Sequence, residues 1–278
     1  MAHAIISRLG GVALITGAAS GMGRATAQTF AKAGCRVVLV DRDAVGIDKT
    51  IKEYDIDPSK SLVAAFDIRD DTAIEDLLTK TIPNKFGRLD FAVNAAGIAG
   101  TQSSTILDES VQNLDVILDI NLRAQIMFNR AQVRAMLQPK EPLEAFTSQP
   151  DSQVKYKAPD SPSFKGAIVN FSSIAGYRSF PGVASYSIAK HGIIGLTKVM
   201  ATGFGPQGIR TNAIAPGAIE TAMTQDIPGV ELLSSANPMK RVGHAQEAAN
   251  LALFLCSPLS SYINGETVLI DGGWGAGV

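Results

Sequence analysis

The sequence is poor in the residues that build metal centres, disulfide scaffolds and nucleic-acid surfaces. Its 278 residues include two cysteines and three histidines. Cys35 and Cys256 stand far apart with no CxxC pair, and His3, His191 and His244 are scattered. That excludes a disulfide framework and a zinc module and gives no metal site to expect. Charge of one sign is lacking too. The 25 Lys+Arg and 26 Asp+Glu leave a formal charge of −1, so nothing draws the chain toward nucleic acid or an anionic membrane. No apolar run approaches the roughly 20 residues of a membrane span. Met1–Gly11 lacks the apolar stretch of about 7–15 residues that a secretory leader needs. The expectation is a cytoplasmic protein with no nucleic-acid or membrane partner.

What is present is alternation. Short apolar runs at Val12–Thr16, Arg36–Val40, Leu62–Asp67, Phe91–Asn94, Ala167–Phe171, Arg210–Ala215 and Thr267–Ile270 read as strands. Segments at 24–33, 44–53, 71–82, 106–137, 184–204 and 245–256 carry a helical period, and Gly34 stands where a C-cap glycine belongs. Continuously apolar strands alternating with helices predict an α/β fold, a doubly wound parallel sheet of Rossmann type with helices on both faces. No break in composition divides the chain, so residues 1–278 are expected to form one domain. Gln138–Lys165 departs from the rhythm, with five of the 13 prolines and four serines. Prolines at this density suit neither a helix interior nor a central strand. The stretch is expected to be a surface excursion at the helix-to-strand end of the sheet, away from the ligand end, with a protein-docking segment as the alternative.

The first strand runs into Thr16-Gly17-Ala18-Ala19-Ser20-Gly21-Met22-Gly23 and then a helix. Glycines at such a junction permit a tight turn and let a pyrophosphate approach amides at the helix N-terminus. Gly17, Ser20, Gly21, Met22 and Gly23 are therefore candidate dinucleotide contacts. Asp41 ends the second strand, placed to accept hydrogen bonds from an adenosine ribose and to repel a 2′-phosphate. Ser20 leaves no basic residue inside the turn, which favours NAD over NADP, although Arg42 could bind a 2′-phosphate. Asp67 and Ile68 are candidates for the adenine edge and face.

Tyr186 and Lys190 lie four apart in a helical segment, so they share a face. An ammonium beside a phenol lowers the phenol pKa and makes it a usable acid–base. Asn94-Ala95-Ala96-Gly97 and Ser172-Ser173 end two strands at the ligand end of the sheet. Strand alternation sends Ser172 and Ser173 to opposite faces.

Together these motifs, with Pro216-Gly217-Ala218-Ile219-Glu220-Thr221 and Ile270-Asp271-Gly272-Gly273, make the chain resemble the one-domain branch of the short-chain dehydrogenase/reductase family. The resemblance runs from Val12 to Gly273 apart from the Pro-rich stretch. It implies that Tyr186 exchanges the proton on the substrate oxygen and that Ser173 polarises that oxygen. Lys190 is implied to lower the Tyr186 pKa and bind the nicotinamide ribose, and Asn121 to complete a water-mediated relay. It also implies cofactor contacts from Ile219 and Thr221 with Pro216 and Gly217, and from Asn94, Ala95 and Gly97. The expected activity is NAD-dependent interconversion of a secondary alcohol and a ketone. A 3-oxoacyl reductase is the enzymatic alternative, and a non-catalytic dinucleotide module the alternative of another class. The substrate pocket is expected from Ile98–Thr105, Ile174–Ala184 and Ala222–Val242, whose residues Tyr177, Phe180, Pro181, Val183, Met223, Ile227, Leu232, Leu233 and Met239 suit an apolar or cyclic substrate. The resemblance further implies a homo-oligomer, a tetramer or dimer, paired through the fourth and fifth helices.

Overall fold

A computed structural model describes residues 9–101, 105–147, 161–221, 224, 234–235 and 237–276. Seven strands form one parallel sheet: β1 (Val12–Thr16), β2 (Arg36–Asp41), β3 (Ser61–Ala65), β4 (Phe91–Asn94), β5 (Gly166–Phe171), β6 (Ile209–Pro216) and, last in the chain, β9 (Thr267–Ile270). Their order is β3-β2-β1-β4-β5-β6-β9. The chain leaves β1 in one direction and continues from β4 in the other, which opens a crevice at the carboxyl ends of these two strands. A two-residue parallel bridge joins β7 (Ile219–Glu220) to β8 (Gly243–His244).

Every residue of β1, β4, β5 and β6 is buried, as strands covered on both faces require. Alternate side chains feed two cores. Ala13, Ile15, Phe91 and Val93 pack under α1 (Gly21–Lys32), α2 (Ala44–Glu53) and α9 (Ala245–Cys256). Val12, Leu14, Ala92 and Ile168 pack under the opposite layer. That layer holds α3 (Asp71–Asp76), a π turn (Leu77–Thr81), α4 (Ile82–Phe86), α5 (Val111–Leu118), a second π turn (Asp119–Arg123), α6 (Ala124–Met136) and α8 (Ala184–Phe204). No helix among the described residues is long and apolar enough to cross a membrane.

Several boundaries differ from the sequence reading. The third strand stops at Ala65, two residues before Asp67. The last rung is Phe66 donating to the Asp41 carbonyl, after which Asp67 accepts from the Arg69 backbone and side chain and turns the chain away. The expected helix 106–137 is broken at Glu109, because Ser110 caps a fresh start by accepting from Asn113 N. The helix expected to end at 82 runs on to Phe86, with Pro83 tolerated in a first turn and Gly87 closing it at φ +72°.

The described parts of 138–165 lie at the amino end of the sheet, with most of their residues exposed and a few side chains anchoring the feet. Lys140 Nζ lies 3.2 Å from Asp90 Oδ1 and donates to the Leu89 carbonyl beneath β4. Phe146, on the short helix α7 (Glu144–Thr147), stacks on Phe164 with ring centroids 3.6 Å apart, and both rings meet Phe91 of β4. A buried carboxylate and an aromatic cluster thus bind the feet to the sheet. Residues 148–160 lie outside the described residues.

Candidate active site

The crevice at the carboxyl ends of β1, β2 and β4 is a cleft of about 340 Å³. Gly17, Ser20, Gly21, Met22, Gly23, Asp41, Asp67, Ile68, Ala95, Gly97 and Thr221 line it, as expected from the sequence. Ala19, Arg42, Asp43, Ala96, Ile98 and Ile120 line it too. Among these the sequence points to Arg42 only as a ligand for a 2′-phosphate and gives no sign of Asp43. Asp43 also caps α2 by accepting from Gly46 N, which masks its presence in the cleft.

The glycine turn fits a diphosphate. Gly17 has φ +73°, and a Cβ there would meet Ala96 N at 3.0 Å. A Cβ on Gly23 would come within 2.1 Å of the Gly17 carbonyl oxygen, so the helix can sit this close to the turn only without a side chain. The Ser20 side chain makes no cap hydrogen bond, and the first turn of α1 has no acidic residue. Its leading N–H groups therefore meet the cleft with the positive end of the helix dipole unneutralised. Asp41 Oδ2 accepts from Ala19 N at 3.1 Å and Oδ1 from Asp43 N at 3.1 Å, fixing the carboxylate between the turn and the start of α2. Arg69 grips Asp67 through two side-chain bonds of 3.0 and 2.6 Å and holds its carboxyl down at about 2.

Deeper in, four side chains converge behind the Gly97 backbone. Ser173, capping the 3-10 turn just after β5, accepts from Ala175 N at 3.1 Å and stands beside the Tyr186 phenol, whose pKa it draws down. Lys190, buried one turn on in α8, donates to the Phe171 carbonyl at 2.9 Å. Asn121 sits in the second π turn, fully buried. Its amide clamps Ile98, accepting from Ile98 N at 2.9 Å and donating to Ile98 O at 2.7 Å. A Cβ on Gly97 would lie 3.0 Å from Asn121 Oδ1 and 3.5 Å from Lys190 Nζ, so this glycine is the thin wall between cleft and quartet. Ser172 points the other way and donates to the Lys190 carbonyl at 2.8 Å.

The electrostatics correct one expectation. Burial pushes the Tyr186 phenol above its ordinary value, with the Ser173 hydroxyl pulling it back. Lys190 does not set the direction, because its ammonium turns to the Phe171 carbonyl, 5.6 Å from the Tyr186 ring centroid, and burial of the phenol dominates. Burial instead acts on Lys190 itself, bringing it from 10.5 to about 8.

Other candidates move. The Asn94 side chain faces away from the cleft into a buried amide network. It exchanges hydrogen bonds with Gln132 at 3.0 and 2.8 Å and donates to Asn170 at 2.9 Å. Asn170 in turn bonds Asn129 and Thr197. This ties β4, β5, α6 and α8 together, because buried amides must find partners. Ile219 is buried and borders a second cavity, of about 270 Å³, with Met239 and Leu269. Pro216 closes β6, and Gly217 N donates to the Ile270 carbonyl at 3.0 Å. Of the 216–221 stretch, Thr221 alone is among the cleft-lining residues. Gln125 was missed: it donates to the Ala96 carbonyl at 2.8 Å and so holds the cleft wall. Its signal was legible, since amides at 121, 125, 129 and 132 fall on one helix face. Met223, Ile227, Leu232 and Leu233, with most of 222–236, lie outside the described residues, as do 102–104.

A family profile described as short chain dehydrogenase matches residues 11–143, and one described as enoyl-(acyl carrier protein) reductase matches 153–275. The chain is 34 % identical over 266 residues to a 3-oxoacyl-(acyl-carrier-protein) reductase of Thermotoga maritima, covering 95 % of this chain and 97 % of that one. It is 33 % identical over 277 residues to the levodione reductase of Leifsonia aquatica, covering 95 % and 94 %. A crystal structure of a levodione reductase superposes with a TM-score of 0.81 at 34 % identity, covering 96 % of this chain and 98 % of that one.

Proposed function

The chain belongs to the short-chain dehydrogenase/reductase family of oxidoreductases, which bind NAD(H) or NADP(H), and from that premise we propose that it is an NAD-dependent enzyme interconverting a secondary alcohol and a ketone. The observation that carries the reading is the convergence of Ser173, Tyr186, Lys190 and Asn121, with the Lys190 ammonium 5.6 Å from the Tyr186 ring centroid and the cleft just beyond Gly97. When bound, the dinucleotide supplies or accepts the hydride. The protein's share is orientation and proton handling. Tyr186 passes the proton to or from the substrate oxygen while Ser173 holds that oxygen. Lys190 and Asn121, adjoining the Gly97 backbone, serve the relay behind the phenol. The uncapped start of α1 and the glycine turn are the seat for the diphosphate.

Coenzyme choice follows from Asp41. Its carboxylate is fixed by two backbone donors at the adenosine end, where a ribose hydroxyl is welcome and a 2′-phosphate is repelled. Arg42 lines the same end and is the feature that supports NADP. Tyr177, Phe180 and Met239 favour an apolar or cyclic ketone, and the likeness to levodione reductase supports that class. The likeness to a 3-oxoacyl reductase supports the second reading, a β-keto thioester. We further infer a homo-oligomer paired through α6 and α8, whose Ile126, Ile188 and Val199 are exposed.

The test is oxidation of NADH and NADPH measured separately, with levodione, substituted cyclohexanones and acetoacetyl-coenzyme A as oxidants. The reading expects kcat/KM with NADH at least tenfold above NADPH, about 1.4 kcal/mol, and a cyclic ketone ahead of the thioester. A preference for the thioester with NADPH would replace it by the second reading. No turnover with any carbonyl, alongside tight NADH binding, would leave a dinucleotide-binding module.

A further inference from the structure

Between Ser173 and Tyr186 the chain makes a loop whose shape decides where the serine hydroxyl points. Ile174–Gly176 form one 3-10 turn, and Arg178 N closes it on the Ile174 carbonyl at 2.8 Å. The turn is pressed on α8, since a Cβ at Gly176 would come within 2.5 Å of the Lys190 carbonyl oxygen. Arg178 then leaves the loop and reaches across the sequence. Its Nη1 donates to the Trp274 carbonyl at 3.2 Å, and its guanidinium lies 5.3 Å from the Phe180 ring centroid. Phe180 packs on Trp274, with centroids 5.3 Å apart at 51°.

Trp274 is itself held. The Asp271 carboxylate accepts from Gly273 N at 2.9 Å and Gly275 N at 2.6 Å, while Trp274 N donates to the Asp271 carbonyl at 3.3 Å. Gly272 and Gly273 take φ of +64° and +86°, which a side chain would strain. The same turn accepts Met239 N on the Gly272 carbonyl at 3.2 Å. The turn at Asp271–Ala276 therefore joins both flanks of the expected substrate pocket, the 174–183 loop through Arg178 and the 237–240 turn through Met239.

We propose that Arg178 and Trp274 are positioning residues for the carbonyl substrate: the turn at Asp271–Ala276 clasps the loop after Ser173 and fixes the wall the substrate meets. The proposal rests on the activity reading above. A planar guanidinium suits the task, because it can bond a carbonyl in its plane while stacking on a ring. Loosening the clasp leaves the glycine turn, Asp41 and the rest of the dinucleotide seat untouched, so the effect falls on the carbonyl substrate.

The chain has a single tryptophan, so intrinsic fluorescence reports the clasp directly. R178M and W274A are compared with R178K and W274F, using whichever ketone the wild type reduces best. R178M and W274A are expected to raise KM for the ketone at least tenfold, with KM for NADH within twofold and the melting temperature little changed. R178K, which keeps the cation, should recover part of the loss, and W274F, which keeps an aromatic ring against Phe180, most of it. Combining R178M with W274A should add little beyond either alone. In R178M the Trp274 emission should shift to the red and become more open to acrylamide. A red shift with wild-type KM values would overturn the proposal, and so would KM for both substrates and the melting temperature worsening together. A wild type silent on every ketone, with R178M still shifting the emission, would sink the activity reading and reduce the clasp to a structural tie. Should R178M fail to fold, W274A against W274F carries the same KM comparison.

Discussion

The two ends of the sheet handle polar groups in opposite ways. Under the amino end of β4, Asp90 is wholly buried and fully subscribed: Arg88 bonds it twice at 2.8 Å, Val12 N donates at 2.9 Å and Lys140 Nζ stands at 3.2 Å. At the carboxyl end polar groups are left over. The first turn of α1 has no side-chain cap, and Lys190 is buried against one carbonyl with no carboxylate paired to it among the described residues. Gln125 Oε1, Ser185 Oγ and Ser187 Oγ are buried without a partner. Thr211 Oγ1 and Thr267 Oγ1, near the amino ends of β6 and β9, are unpartnered too, so what sets the carboxyl end apart is the uncapped helix start and a buried ammonium without a counter-ion among the described residues. The difference separates a pole that stabilises from a pole that binds.

The sharpest way to break that comparison is at Tyr186. Tyr186→Phe keeps the ring and removes the proton donor, so turnover should fall about 10²–10⁴-fold while NADH binding and melting temperature hold. Steady-state kinetics beside a fluorescence titration would check it. Activity within threefold of wild type would remove Tyr186 from the proton step.

At the other pole the expected effect is on stability alone. Asp90→Ala strips the shared partner from Arg88 and from the buried Lys140, and breaking a buried pair in this way costs about 3–5 kcal/mol. Chemical denaturation should show that loss, with KM for NADH unmoved in the folded fraction.

Lys190→Met tests whether the binding pole is held at a cost to the fold. Burial takes Lys190 from 10.5 to about 8, so between those values the unfolded chain binds the extra proton and stability rises with pH. Below pH 8 the full penalty stands, roughly 3 kcal/mol. The variant should therefore melt higher than wild type at pH 7, lose that advantage by about pH 10.5, and be catalytically poor throughout. An equal melting temperature at pH 7 would mean that the buried ammonium is better satisfied than its bond to Phe171 suggests.

How much of this could be read from residues alone also differs between the poles. Chemistry at the binding end is concentrated in short local words: Thr16–Gly23, Asn94–Gly97, and Tyr186 with Lys190 one helical turn on, and the cleft is lined by the first two. The stabilising end is assembled from long-range pairs. Lys140 meets Asp90, and Phe146 meets Phe91 across 55 positions, so the Pro-rich stretch does not announce these anchors. Asn94 shows the same limit within a motif. Its place at the end of β4 was legible, but the choice between cofactor and amide network is made by Gln132 and Asn170, which arrive from other elements. The direction of the Tyr186 shift was missed because spacing puts Lys190 on the right face and says nothing of where its ammonium turns.

Asp41→Ala carries a smaller effect at the binding pole. Removing the ribose acceptor should cut the NADH-over-NADPH preference by about tenfold, some 1.4 kcal/mol, with thermal stability almost unchanged because both donors, Ala19 N and Asp43 N, face the cleft rim where water can replace the carboxylate. Parallel kcat/KM values for the two coenzymes would read it.

The smallest expected effect is the most discriminating one for the anchoring of 138–165. Phe146→Ala removes a half-buried ring stacked on Phe164 and touching Phe91. An aromatic pair is worth about 0.5–1.5 kcal/mol beyond its buried area, and the neighbouring rings can close part of the gap. The melting temperature should fall by several degrees at most, while KM for NADH and for the ketone stay within twofold, since the cluster sits beneath the amino end of β4 and the cleft opens at its carboxyl end. A variant with wild-type melting behaviour would mean that the aromatic cluster does not anchor the segment's feet. A variant that kept its fold but lost coenzyme affinity would mean that the two poles communicate through β4, and the division between a stabilising end and a binding end would not hold.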